Sequence, residues 1–115
     1  MTQQPDLFAP SLNSVRDFKE ALNRATRESG LSRAQILDKL NAVAGRYGIN
    51  LAAGNAGKLS LETLEKWLNP EAEAHVPPLK ALPVLMRVIG SPAVLEALVG
   101  CLGWRVIEGQ DVVRL

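Results

Sequence analysis

Few residues of this 115-residue chain could perform nucleophilic or acid–base catalysis. It contains one histidine, His75, and one cysteine, Cys101. A catalytic nucleophile needs a base within reach and a third group that orients the base. His75 stands in a loop beside two prolines, and Cys101 stands in an aliphatic segment, where a thiol commonly behaves as a small hydrophobic group. The sequence therefore predicts a non-enzyme with no catalytic residue.

The sequence also gives little basis for a metal or cofactor site. A single cysteine and a single histidine exclude a cysteine-based zinc cage and a multi-histidine site. Glu71 and Glu73 have no third oxygen ligand nearby in sequence, so a calcium loop is not indicated. The glycines of GNAG, residues 54–57, match neither a P-loop nor a dinucleotide-binding motif. We expect no cofactor and no metal.

The distribution of charge is more informative than its sum. Thirteen basic and twelve acidic residues leave a net charge of +1, which demands neither a nucleic-acid nor a membrane partner. Residues 14–47 carry seven basic and four acidic residues, a balance of +3, whereas residues 48–75 have a balance of −2. A basic first half could place phosphate-contacting side chains on one surface. Ordinary solvated helix exteriors would produce the same pattern.

Two amphipathic helices are predicted in the basic half of the chain. Apolar residues recur there every three or four positions. The first helix is expected to begin at Ser14 and to end before Gly30. The second begins at a capping box formed by Ser32 and Gln35, and it ends at Gly48.

Three shorter helices follow a glycine- and asparagine-rich loop. The third helix is capped by Ser60 and ends before a proline. The fourth spans about residues 79–89, with Pro83 separating its first turn, and the fifth follows Pro92 and ends at Gly103. Beyond Gly103 the apolar pattern alternates, which predicts a short β-hairpin over residues 104–115.

Three segments of the chain share a pattern of helical runs and helix-ending residues: LSRAQILDKLNAVAGRYG, LSLETLEKWLNP and HVPPLKALPVLMRVIGSPAVLEALVGCLG. They resemble small regulatory proteins of Mu-like and lambda-like prophages, and the resemblance covers about residues 14–107. Five short capped helices, of which the second and third form a pair, also resemble the lambda-repressor-like helix-turn-helix. The matching positions are Ser32–Ile36, Leu64, Trp67, His75, Pro77, Pro78, Leu82, Pro83, Gly90, Leu95, Leu98 and Gly103.

The resemblance implies a mainly α fold with about five short helices and a helix-turn-helix-like core. From the sequence pattern itself, residues 1–13 with their two prolines are expected to form a flexible arm, residues 14–103 the helical domain, and residues 104–115 a C-terminal β-hairpin packed on that domain. The implied function is sequence-specific regulation of transcription on double-stranded DNA. The first two helices would contact phosphates, and the third helix and its preceding loop would contact bases; the residues are Arg27, Arg33, Arg46, Asn55, Lys58, Ser60, Thr63 and Lys66.

Two features of the sequence depart from the helix-turn-helix pattern. The turn between the second and third helices is lengthened by residues 49–59, and the third helix carries Glu62 and Glu65. Carboxylates are unfavourable near phosphates, although glutamate can accept a hydrogen bond from cytosine. The alternative function is therefore a protein-interaction module, such as an adaptor that acts on a host replication or transcription protein.

The N-terminal segment Gln4-Pro5-Asp6-Leu7-Phe8 is similar to the pentapeptide that binds the bacterial sliding clamp. In that interpretation Leu7 and Phe8 fill an apolar pocket and Gln4 forms a hydrogen bond at its rim. The alternative is that Leu7 and Phe8 fold back onto the protein's own core.

Localisation and assembly are predicted from the remaining patterns. Neither a secretory signal nor an apolar run of 18 residues is evident, so we expect a cytoplasmic protein with no membrane partner. One short helix contacts too few base pairs for specificity, so we expect a homodimer with the hairpin at or near its interface.

Overall fold

The structure is a computed structural model that describes residues 14–52, 57–107 and 109. In this part of the chain there are five α-helices, two short 3-10 turns and no strand. The protein is therefore mainly helical, as predicted. The helices are α1 Val15–Glu28, α2 Arg33–Arg46, α3 Leu61–Leu68, α4 Leu82–Ile89 and α5 Ala93–Val99, and the 3-10 turns are Leu79–Ala81 and Gly100–Leu102.

The predicted starts of α2 and α3 are confirmed by their capping hydrogen bonds. The Gln35 backbone N–H donates to Ser32 Oγ at 3.1 Å, and the Ser32 backbone N–H donates to Gln35 Oε1 at 2.8 Å. This pair is the reciprocal capping box that the spacing predicts. At α3 the Thr63 backbone N–H donates to Ser60 Oγ at 3.2 Å. Each cap satisfies an N–H that has no partner inside its helix.

The predicted break near Pro83 is also confirmed. The 3-10 turn precedes α4, and Pro83 occupies the first turn of that helix, where its missing N–H removes no intrahelical bond. Gly90 then ends α4 with φ at +74°, a left-handed conformation that favours glycine.

Helices α1 and α2 organise the packing. Helix α1 packs against α5 and α3, and α2 packs against α4 and α3. Aliphatic side chains dominate the core because the chain has few aromatic residues, but Trp67 of α3 is also buried within it. The fully buried aliphatic residues of the core include Leu22, Ile36, Leu40, Leu64 and Leu85.

The connection between α2 and α3 comprises residues 47–60, whereas a helix-turn-helix has a turn of three or four residues. Its described part is held to the core by the buried side chains of Leu51 and Leu59. The Asn41 side chain fixes its end: the Leu59 N–H donates to Asn41 Oδ1 at 2.8 Å, and Asn41 Nδ2 donates to the Leu59 carbonyl at 3.1 Å. A long, anchored loop therefore joins these two helices.

The predicted hairpin and arm are only partly covered by the structure. Residues 104–107 form no strand, so the structure does not support the predicted β-hairpin, and Trp104 is 64% exposed. Residues 108 and 110–115 lie outside the described residues. So does the predicted arm, residues 1–13, which contains Gln4, Leu7 and Phe8.

Candidate nucleic-acid interface

The two hydroxyl groups predicted to contact bases lie together at the start of α3. Ser60 Oγ accepts the Thr63 N–H at 3.2 Å and donates to Thr63 Oγ1 at 3.0 Å. Thr63 is half-buried. These hydroxyls therefore form the helix cap and are already hydrogen-bonded to each other.

The exposed side chains of α3 are more acidic than basic. Lys66 Nζ lies 3.4 Å from Glu62 Oε1 in an exposed i,i+4 ion pair. Glu65 is exposed on the same helix. Two carboxylates and one ammonium give this helix a net charge of −1, which opposes the approach of phosphate.

The remaining predicted DNA contacts are spread over the domain. Arg33 and Arg46 are the first and last residues of α2, which places their backbones about 20 Å apart along the helix axis. Arg27 is exposed at the end of α1, and Lys58 is exposed just before α3. Asn55 lies outside the described residues.

The Arg33 guanidinium faces a mixed polar groove. It donates to Asn23 Oδ1 at 2.8 Å. The groove has a volume of about 530 Å³, and its lining also includes Glu65 and Asn69. A carboxylate in the same groove reduces the attraction of Arg33 for a phosphate.

A different surface brings three cations together. An open groove of about 360 Å³ is lined by Lys39, Val43 and Arg46 of α2 and by Arg87 of α4. Ala42 and Val88 complete its lining. The α2 residues share one face because they are separated by three, four and seven positions. No acidic side chain of the described chain lines this surface, which we name the α2–α4 basic groove.

An exposed aromatic side chain borders this groove. Arg87 Nη1 donates to Tyr47 Oη at 3.0 Å, and the Arg87 guanidinium carbon lies 5.5 Å from the centre of the Tyr47 ring. Tyr47 is 56% exposed. A tyrosine ring beside several cations offers a stacking surface next to phosphate-binding groups.

The cations of the α2–α4 basic groove form no ion pair with any described residue. For Arg87 the sequence explains this, because no acidic residue occurs between Glu73 and Glu96, the interval that includes α4. Arg16 of α1 is the contrasting case. It binds Glu20 at 3.1 Å and Glu71 at 2.7 Å, and the hydrogen bond to Glu71 raises the pKa of Arg16.

One further cation of the basic first half of the chain lies in the interior of the protein. Lys19 is fully buried, and its ammonium donates to the carbonyl oxygens of Lys66 at 2.9 Å, His75 at 2.8 Å and Ala72. Burial lowers the pKa of Lys19, and nearby Glu73 partly opposes this effect. Lys19 fixes the segment between α3 and α4 and is not accessible to a ligand.

Lys39, Tyr47 and Arg87 were not predicted from the sequence as site residues. Among the cations of the α2–α4 basic groove, only Arg46 was. The seven-residue spacing of Lys39 and Arg46 and the acid-free interval around Arg87 were visible signals. Their juxtaposition depends on how α2 packs on α4, which neither signal specifies.

The described residues contain no group of three or more His, Cys, Asp or Glu side chains that could hold a metal ion. None of the helices in the described ranges combines the length and the apolar character needed to cross a bilayer.

No protein-family model, curated protein or solved structure matches the chain.

Proposed function

We propose that the protein binds double-stranded DNA through the α2–α4 basic groove and regulates transcription as a cytoplasmic regulator of prophage type. The observation that carries this proposal is the grouping of Lys39, Arg46 and Arg87 in a groove that no carboxylate of the described residues lines. Phosphate contacts supply most of the sequence-independent affinity of DNA-binding proteins.

The chemistry of these side chains suits a phosphate backbone. Arginine presents a planar fork of donors that matches phosphate oxygens, and lysine adds a mobile point charge. The lining also contains the apolar side chains of Ala42, Val43 and Val88, along which the aliphatic stems of the cations can lie while their charged ends stay in water. In this proposal α2 and α4 take over the contact role that the helix-turn-helix pattern assigns to α3.

Fluorescence anisotropy with a labelled duplex, measured between 50 and 200 mM salt, tests the proposal. Neutralising the groove with Lys39→Gln, Arg46→Gln and Arg87→Gln should weaken binding and reduce the slope of log affinity against log salt by about two to three units, since each lost phosphate contact removes about 0.9. The side chains are exposed, so the circular dichroism spectrum should not change.

A matched triple variant removes the same charge from the surfaces predicted by the helix-turn-helix resemblance. Arg27→Gln, Lys58→Gln and Lys66→Gln together should reduce affinity and salt slope less than the groove variant. Equal losses would mean that the groove has no special role. A wild-type protein that binds no duplex at 50 mM salt would refute DNA binding altogether.

The second candidate function is a protein-interaction module. The observation favouring it is the exposure of three large apolar side chains close together in the chain, Leu102, Trp104 and Ile107. Such a segment is suited to contact with another protein, including a second copy of this chain. On this basis we propose a homodimer with residues 104–115 at its interface. Clamp binding through Gln4, Leu7 and Phe8 is a separate proposal, which rests on the sequence similarity of residues 4–8 alone.

Sedimentation velocity separates these assemblies from a monomeric DNA binder. A homodimer should dissociate when Trp104→Ala and Ile107→Ala are combined. A wild-type protein that is monomeric at high micromolar concentration would refute the dimer.

A further inference from the structure

Tyr47 links the end of α2 to the exposed guanidinium of Arg87 on α4. Arg87 Nη1 donates a hydrogen bond to Tyr47 Oη at 3.0 Å, and the guanidinium carbon lies 5.5 Å from the centre of the ring. A cation within about 6 Å of an aromatic ring is also attracted by the electrons of the ring. Two interactions of different kinds therefore hold one long, flexible cation, although the two residues lie forty positions apart in the chain.

The backbone that carries the Tyr47 ring is fixed by the way in which α2 ends. The Tyr47 N–H donates to the Val43 carbonyl at 3.2 Å. Gly48 follows with φ at +68°, and the Ile49 N–H then donates to the Ala44 carbonyl at 2.8 Å. A left-handed glycine with hydrogen bonds back into the last turn is a common helix ending. Tyr47 therefore projects from a defined position, and its side chain has only two rotatable torsions to order.

We propose that Tyr47 is a positioning residue of the α2–α4 basic groove, which holds Arg87 in place for a phosphate of the bound DNA. This inference rests on the proposed DNA-binding function. A guanidinium has five N–H donors, and the hydrogen bond to Tyr47 uses one of them, so others remain for phosphate oxygens. No carboxylate of the described residues forms an ion pair with Arg87, so its charge is not neutralised there.

The expected benefit is an arginine that is ordered before the DNA arrives. Immobilising a flexible side chain on binding lowers the affinity by about two- to tenfold, and a side chain that is already held avoids most of this loss. Removing the Tyr47 hydroxyl should therefore weaken binding although no charge is lost. The number of phosphate contacts stays the same, and so should the slope of log affinity against log salt.

Fluorescence anisotropy with the labelled duplex tests this role through Tyr47→Phe and Arg87→Gln. Tyr47 is 56% exposed, so Tyr47→Phe should preserve the fold; it should raise the Kd by about two- to tenfold at an unchanged salt slope. Arg87→Gln should raise the Kd and also reduce the salt slope by about 0.9. The double variant should match Arg87→Gln alone, because Tyr47 acts through Arg87.

Two results of this binding experiment would overturn the proposal. A wild-type Kd in Tyr47→Phe would show that the hydroxyl does not assist binding. An effect of Tyr47→Phe that persists in the Arg87→Gln background would show that Tyr47 contacts the DNA itself.

A measurement without DNA separates this proposal from the proposed function. Nuclear magnetic relaxation of the Arg87 Nε–Hε group should show an ordered side chain in the wild type and larger picosecond-to-nanosecond motion in Tyr47→Phe. The exposed Arg27 of α1 is the control, and its motion should be the same in both proteins. Equal motion of Arg87 in both proteins would overturn the positioning role even if the duplex binds. An ordered Arg87 in a wild type that binds no duplex would refute the proposed function itself, and with it the phosphate contact.

Discussion

Replacing the buried Lys19 by methionine should strongly destabilise the protein. The wild-type ammonium is enclosed by α1, the end of α3 and the following segment, where it donates to three backbone carbonyls. One of them, the carbonyl of Lys66, cannot receive the usual helical hydrogen bond from residue 70, because that residue is Pro70 and has no N–H. Methionine has a similar length and no donor.

The magnitude follows from the carbonyls left without this donor. The Ala72 carbonyl keeps a hydrogen bond from the His75 N–H at 3.0 Å, whereas those of Lys66 and His75 lose their ammonium partner. Each buried polar group left unsatisfied costs about 1–3 kcal/mol. Removing a buried charge recovers part of this cost. We expect a net loss of about 2–4 kcal/mol in the free energy of unfolding.

Thermal and urea denaturation followed by circular dichroism measure this loss. For a domain of this size, a loss of about 2–4 kcal/mol corresponds to a decrease in Tm of about 8–16 °C. Lys80→Met is the matched control, because Lys80 is exposed and surface substitutions usually change stability by less than about 0.5 kcal/mol. If Lys19→Met and Lys80→Met had equal unfolding midpoints, the carbonyl contacts of Lys19 would not contribute to stability and this reasoning would be wrong.

Three smaller perturbations test other parts of the fold. Ser32→Ala removes the α2 cap and should cost about 1 kcal/mol in urea denaturation; an unchanged midpoint would contradict the role of the capping box. Asn41→Ala breaks both hydrogen bonds to Leu59, and it should lower the free energy of unfolding by about 1–3 kcal/mol and increase amide exchange at Leu59. Unaltered exchange would show that the loop is held without the Asn41 side chain. Burial lowers the pKa of Lys19, so the folded state binds this proton less tightly than the unfolded chain does. The stability of the wild type relative to Lys19→Met should therefore rise as the pH increases toward 10.5, and it should fall again as the pH decreases. A difference independent of pH would refute that linkage.

The candidate site was predictable only in part. The sequence shows that residues 14–47 are basic and that α4 lies in an acid-free interval, and Arg46 was among the expected phosphate contacts. The meeting of Lys39, Arg46 and Arg87 was not predictable, because it depends on the packing of α2 against α4. Periodicity defines which face a helix buries, but it does not specify which neighbour flanks the exposed residues at the edge of that face.

The sequence by itself determined the helices and their ends, because the signals are local. The capping box at Ser32 and the cap at Ser60 act within a few residues and are confirmed, and α4 ends at Ile89, where the predicted fourth helix ends. Only the tertiary structure decided the environment of Lys19. Lys19 is one of seven basic residues in the first half of the sequence, but α3 ends over it and leaves carbonyls that need a donor. Such a partnership joins residues about fifty positions apart in the chain, so no local pattern encodes it.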